Sequence, residues 1–171
     1  MGNQQERSLA WFAGILDGEG TISVQVYTLP DGRVRLTPFA CIVNSDPGIL
    51  QGCRDVLAEI GVASRDCNKA SSDGRITGML KCLTIRIDGQ KPVKRLCQAI
   101  APYLRSSKRR NAQVVIAYIN SRELRGMERD ELGRIRRVEY NRAEIEMIAS
   151  IRVHPRAKSS EAICRAPNVV G

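Results

Sequence analysis

Two carboxylates separated by one glycine, Asp17-Gly18-Glu19, followed by Gly20, are the residues best placed to do chemistry. They close an apolar stretch, Trp11-Phe12-Ala13-Gly14-Ile15-Leu16, that reads as a helix, so both acids fall at its C-terminal end. That end carries partial negative charge, and each acid there is unfavourable by about 0.3–1 kcal/mol. A divalent metal is the simplest partner for exposed carboxylate oxygens at such a point. The alternative is a capping turn, in which Gly18 and Gly20 end the helix and the acids are solvated.

The elements that must hold this group follow from hydrophobic periodicity. Ser8 is a candidate N-cap for a first helix running to about residue 16. Residues 21–27 alternate: Ile22, Val24 and Val26 point one way, Thr21, Ser23, Gln25 and Tyr27 the other, as in a half-buried strand. After the turn signal Pro30-Asp31-Gly32, residues 33–43 alternate again, Val34, Leu36, Ala40 and Ile42 inward, Arg33, Arg35 and Thr37 outward. Asp46-Pro47 opens a second helix that Gly61 closes. A second hairpin is predicted from strands near 62–70 and 76–87, with Arg65, Asn68, Lys69 and Arg75 outward. A third helix covers about 91–104, a basic junction 106–110, a fourth helix about 111–120, and a charged helical segment reaches about 151. The fold class is therefore α+β, an αββαββα core with an antiparallel sheet followed by C-terminal helices. Residues 1–120 form the core, and 121–171 a basic helical extension of the same domain.

A chain of 171 residues fits one such domain. Its net charge of +9 and pI near 9.6 suggest a polyanionic partner, most often nucleic acid; a solvated basic surface is the alternative. The charge is uneven: residues 1–104 hold 12 basic and 10 acidic side chains, residues 105–158 hold 14 and 7. Six cysteines with no C-x2-C pair, and His154 as the sole histidine, argue against a zinc site or a redox dithiol; small core residues are the expectation, and disulfide pairing stays open. No membrane-length apolar run and no secretory leader are visible, so an intracellular protein is expected, in the cytoplasm or an organelle.

The run Phe12-Ala13-Gly14-Ile15-Leu16-Asp17-Gly18-Glu19-Gly20 resembles the motif of the LAGLIDADG homing endonucleases. The resemblance extends over about residues 8–120: the motif helix, the αββαββα order and the basic junction ahead of the next helix. It implies an intron-encoded, site-specific double-strand DNA endonuclease that hydrolyses phosphodiester bonds with Mg²⁺ (or Mn²⁺). One copy of the motif is present; Ile87-Asp88-Gly89 lacks the small-residue helix and the second acid. Single-motif members act as homodimers on long pseudo-palindromic sites, so a homodimer is implied here. Ala13 and Gly14 would let two motif helices approach closely, with Leu9, Phe12 and Leu16 packing on either side and Asp17 at the same contact. Close packing within one subunit is the alternative for Ala13 and Gly14.

The same resemblance assigns Glu19 as metal ligand, one methylene longer than the usual aspartate and so about 1.5 Å further out. The Gly18 carbonyl is a second ligand, and Asp17 caps or orients. Lys108 matches the family's lysine, which stabilises developing charge or perturbs water; a plain phosphate contact within Lys108-Arg109-Arg110 is the alternative. Asn44 matches the residue that orders solvent, with Ser45 in competition, and either could instead cap the helix at Pro47. The paired strands would form a saddle in the major groove, where base edges are readable. Gln25, Tyr27, Arg33, Arg35, Thr37, Arg65, Asn68, Lys69 and Arg75 are suitable readers. Basic residues of 105–158 would neutralise phosphates, lowering affinity with salt at a slope of about −0.9 per phosphate. Two further readings are an RNA-binding intron maturase or non-cleaving DNA-binding protein of this fold, with intron RNA as a partner, and a basic structural protein.

Overall fold

Helix α1 (Gly2–Glu19) passes straight into strand β1 (Gly20–Thr28) in the computed structural model, which describes residues 2–67, 83–125, 139–151 and 163–170. Gly20 permits the join: a Cβ there would lie 2.7 Å from Leu16 Cγ and 2.8 Å from the Leu16 carbonyl oxygen. The chain continues through β2 (Val34–Asn44), α2 (Pro47–Glu59), β3 (Arg65–Asp66), β4 (Leu83–Asp88), α3 (Gln90–Ile100) and α4 (Lys108–Arg125). It ends with β5 (Tyr140–Asn141), α5 (Arg142–Ala149) and β6 (Val169–Val170). The αββαββα order and α+β class are those expected.

The first four strands form one antiparallel sheet in the order β1-β2-β4-β3. Strict alternation sets the β1–β2 register: Ile22 faces Ala40 and Val26 faces Leu36, while Gln25 pairs with Thr37 and Tyr27 with Arg35. Ile22, Val24, Leu36, Ala40, Ile42, Ile85 and Ile87 are buried beneath the helices with Phe12, Leu16, Leu50, Leu57, Leu96 and Ile100. The opposite face carries Thr21, Gln25, Tyr27, Arg35, Thr37, Arg86 and Asp88, all exposed or half-exposed. Cys53 and Cys97 belong to the core, where burial pushes their thiols up to about 11 and about 12. All five described cysteines are free.

Helix α2 starts as its sequence dictates. The Asp46 carboxylate accepts hydrogen bonds from the amides of Gly48 (2.7 Å) and Ile49 (3.2 Å), with Pro47 at the first helical position. Gly61, at φ +65°, follows its C-terminus.

Several boundaries differ from expectation, among them the end of α3 at Ile100 rather than about residue 104. Ser8 is not a cap: α1 begins at Gly2, and the Ser8 hydroxyl donates to the Gln4 carbonyl one turn back (3.1 Å). Helix α4 begins at Lys108 and runs to Arg125, so the division at residue 120 falls inside a helix. Most of the predicted second hairpin and half of the charged segment after 125 lie outside the described residues, as do Asn68, Lys69 and Arg75.

The C-terminal elements are fastened by polar side chains. The Glu144 carboxylate, 1% exposed, accepts from Ser121 Oγ (2.9 Å), Arg125 Nη1 (3.0 Å), Arg122 Nη1 (3.4 Å) and the Asn141 amide (3.1 Å). Asn141 returns the capping box by accepting from the Glu144 amide (2.7 Å). Further along, the Asn168 side chain bonds both the amide and the carbonyl of Val34 (2.9 Å each), and the Leu36 amide donates to the Tyr140 hydroxyl (3.1 Å). These contacts occupy the half of β2 that β4 does not reach.

Candidate functional site

The end of α1 and the start of α4 exchange caps. The Asp17 carboxylate accepts from the Arg105 amide (2.7 Å), the Ser106 amide (3.3 Å) and the Ser106 hydroxyl (2.5 Å), and that hydroxyl accepts from the Lys108 amide (3.2 Å). In return the Lys108 ammonium donates to the carbonyls of Leu16 (2.9 Å) and Asp17 (2.5 Å). Helix α1 has no basic residue in its own last turn, so the cation its C-terminal dipole favours comes from α4. The acid that is locally unfavourable on α1 becomes favourable as a cap for the segment leading into α4.

Burial acts to raise the Asp17 pKa, but the Ser106 hydroxyl, the two amides and the Lys108 charge hold it below its ordinary 3.8. A carboxyl whose folded pKa is lowered stabilises the fold fully above the unfolded value and loses that contribution as pH falls through the folded one. Asp17→Asn is therefore expected to lower the melting temperature at neutral pH. The variant should also lose less further stability than the parent on going below about pH 4. Melting curves recorded from neutral to acid pH check both points.

Glu19 is different. Its side chain is exposed and makes no hydrogen bond or ion pair among the described residues. Gly18 is also exposed, and a Cβ at Gly14 or Gly18 would meet nothing within 4 Å. With Arg7, Ala10 and Trp11 these glycines form the outer stripe of α1. Phe12, Ala13 and Leu16 do not share it: each is 0% exposed and packed into the subunit's own core. Their assignment to a dimer contact is corrected accordingly, because they have no surface to offer; Leu9 is half-buried against that core.

Asn44 ends β2 two residues beyond Ile42, the partner of Gly20, which places it beside the end of α1. Its side-chain oxygen accepts from the Asp46 amide (2.8 Å), so the side chain also shapes the turn into α2. Arg109 and Arg110 are exposed in the first turn of α4, which holds no acid. Three cations at the positive end of a helix dipole are mutually unfavourable unless an anion meets them.

On the outer sheet face Gln25, Tyr27, Arg35 and Thr37 stand as expected, and Arg65 is exposed on β3. Arg33 is exposed in the turn, paired with Asp31 at 2.6 Å. Sequence reasoning missed Arg86, Asp88 and Phe39, which complete this face. The signal was available: 83–88 alternates with Ile85 and Ile87 inward, which turns Arg86 and Asp88 outward. A cleft of about 690 Å³ between the start of β2 and the C-terminal segment, lined by Arg33, Arg35, Arg122, Tyr140 and Asn168 among others, does not include Glu19 or Lys108.

Among the described residues no three His, Cys, Asp or Glu side chains converge on a metal position. One free carboxylate with a neighbouring helix-terminal carbonyl does suit Mg²⁺, which retains several waters and takes the rest of its shell from substrate phosphates. No described helix is long and apolar enough to cross a membrane.

No protein-family model matches the sequence, and no curated protein does. Solved structures do. The homing endonuclease I-CvuI, in complex with the I-CreI target and with the DNA not cleaved in 2 mM Mg, aligns with a TM-score of 0.66 at 15% identity, over 94% of this chain and 92% of that one. The archaeal intron-encoded homing endonuclease I-Vdi141I, complexed with DNA, aligns at 0.62 and 15% identity, over 92% of each chain. The LAGLIDADG homing endonuclease I-GzeII, with its DNA target, aligns at 0.60 and 16% identity over 89% of this chain but 46% of its own. The fold is that of the LAGLIDADG homing endonucleases.

Proposed function

We propose that this protein is a site-specific, divalent-metal-dependent DNA endonuclease that acts as a homodimer. The observation that carries this reading is a Glu19 carboxylate, unpaired among the described residues, at the end of α1, whose Leu16 and Asp17 carbonyls are met by Lys108 of the basic first turn of α4. The polar, arginine-bearing outer face of the sheet supplies the second surface the activity needs, since a β-ribbon fits the major groove.

Within this reading Glu19 and the Gly18 carbonyl hold Mg²⁺ (or Mn²⁺). When bound, the ion supplies activation of the attacking water and neutralisation of charge at the scissile phosphate. Lys108 has three ammonium donors, two of them engaged with Leu16 and Asp17; in this reading the third donates to the phosphate and stabilises its developing charge. Arg109 and Arg110 anchor backbone phosphates, and Asn44 orients solvent at the far side of the site.

Dimerisation follows from α1. Its exposed stripe of Ala10, Gly14 and Gly18 allows close helix approach, with Trp11, 42% exposed, at its flank. The chain matches most of I-CvuI but about half of I-GzeII, as expected if two such units make one working enzyme. Two-fold symmetry would then bring both copies of Glu19 to the centre, one for each strand.

The test is selection from a random duplex library, followed by end-sequencing in Mg²⁺ and, separately, in Ca²⁺ or EDTA. The expected result is one pseudo-palindromic site, cut on both strands only with Mg²⁺ or Mn²⁺, by a protein that sediments as a dimer. Site-specific retention without cutting in any metal would leave a binding protein and overturn the catalytic part.

A further inference from the structure

The outer sheet face holds a hydrogen-bonded chain of side chains that spans three strands. On β4, Arg86 Nε donates to Asp88 Oδ1 (2.7 Å) and Arg86 Nη2 to Gln25 Oε1 on β1 (2.7 Å). The Arg86 guanidinium lies over the Phe39 ring of β2, 4.3 Å from its centroid. The other Asp88 oxygen receives Arg65 of β3: Nε at 2.9 Å and Nη2 at 2.8 Å. Arg65 Nη1 donates to Cys67 Sγ (2.9 Å).

Arg65 and Arg86 are direct cross-strand partners. Like charges in that relation repel, and Asp88 is the carboxylate that joins them. Exposure divides their tasks. The Arg86 side chain is 19% exposed and wedged between Gln25, Asp88 and Phe39; the Arg65 side chain is 62% exposed. Among the described residues three of the five Arg65 N–H donors are engaged, leaving one on each terminal nitrogen, the pair that a bidentate contact with guanine O6 and N7 requires.

We propose that Asp88 is a specificity-positioning residue, which fixes Arg65 for guanine readout while Arg86, held by Gln25 and Phe39, fixes Asp88. This rests on the DNA-binding reading above and goes beyond it by naming one reader, the base it selects and the groups that orient it. A guanidinium clamped in this way is also kept from wandering to the nearest phosphate.

The experiment is duplex selection with the wild-type protein, with Asp88→Asn and with Arg65→Lys, alongside melting curves and binding at several salt concentrations. The wild type is expected to prefer guanine at one position in each half-site, by about tenfold or more. Asp88→Asn should lose that preference and keep the others. Its binding to unrelated DNA should be equal or tighter, because one negative charge has gone. Arg65→Lys, which retains the charge but not the fork, should lose the preference at the same position. An undiminished guanine preference in Asp88→Asn, or an Arg65→Lys change at a different position, would overturn the proposal. A wild type that selects no sequence removes the DNA reading itself, and this inference with it. Arg65 is exposed, so its lysine variant reports even if Asp88→Asn melts early.

Discussion

Glu19→Gln is expected to lower DNA cleavage by about a thousandfold, or ~4 kcal/mol of transition-state stabilisation, while leaving specific binding in place. Glutamine keeps the shape of the side chain and removes the anionic oxygen. Nothing in the fold depends on that oxygen, because Glu19 is exposed and has no partner among the described residues. The melting temperature should therefore hold or rise slightly, since the charge removed sits at the negative end of α1. Affinity for the target should hold or rise slightly, as one negative charge leaves the surface proposed to meet phosphates. Plasmid linearisation in Mg²⁺ measures the first effect, and gel retardation in Ca²⁺ the second. Normal cutting by this variant would remove Glu19 from the metal site. The contrast with Asp17→Asn is sharp, since that neighbouring carboxylate is engaged by Arg105 and Ser106 and its loss registers in stability.

The largest stability effect is expected at Glu144. It is a buried carboxylate on which two guanidinium groups, a hydroxyl and a backbone amide converge. Removing one member of such a cluster leaves the others desolvated and unpaired, which costs about 3–5 kcal/mol. Glu144→Ala should accordingly lower the melting temperature by roughly 10 °C in a chain of this size. Arg122 and Arg125 belong to α4 and Asn141 to the cap of α5, so the loss falls on the joint between these helices. Glu144→Gln keeps the volume and some of the hydrogen bonds, so it should lie between the two. Urea unfolding of the three proteins measures the order.

Much of this was legible in the sequence because it is local. Period-two alternation fixes which residues of β1 and β2 face the helices, and Ile22, Val24, Val34, Leu36, Ala40 and Ile42 are buried as that reading requires, with Val26 half-buried near the strand end. Asp46-Pro47 announces α2 through chemistry that acts within three residues. The start of α1 was not legible, because residues 2–7 are polar or glycine and give no helical period. Nor was the orientation of α1. Both of its long faces are apolar or small, so periodicity does not tell which one, Phe12-Ala13-Leu16 or Ala10-Gly14-Gly18, meets the subunit's own core. At the candidate site the acids could be found from composition and spacing. Their division of labour could not, because it is made by bonds from Lys108 and Ser106 that cross about ninety residues of chain. Arg86 and Asp88 escaped for another reason: the strand was recognised, but its alternation was not phased.

The Asn168 and Tyr140 side chains that close the flank of β2 also set a schedule. Val34 and Leu36 emerge during synthesis 134 and 104 residues ahead of the groups that will bond them. For that interval the hairpin displays bare amides and carbonyls along one margin, the template on which neighbouring nascent chains pair. A segment made more than a hundred residues later is thus the one that makes the first-formed strands safe from one another.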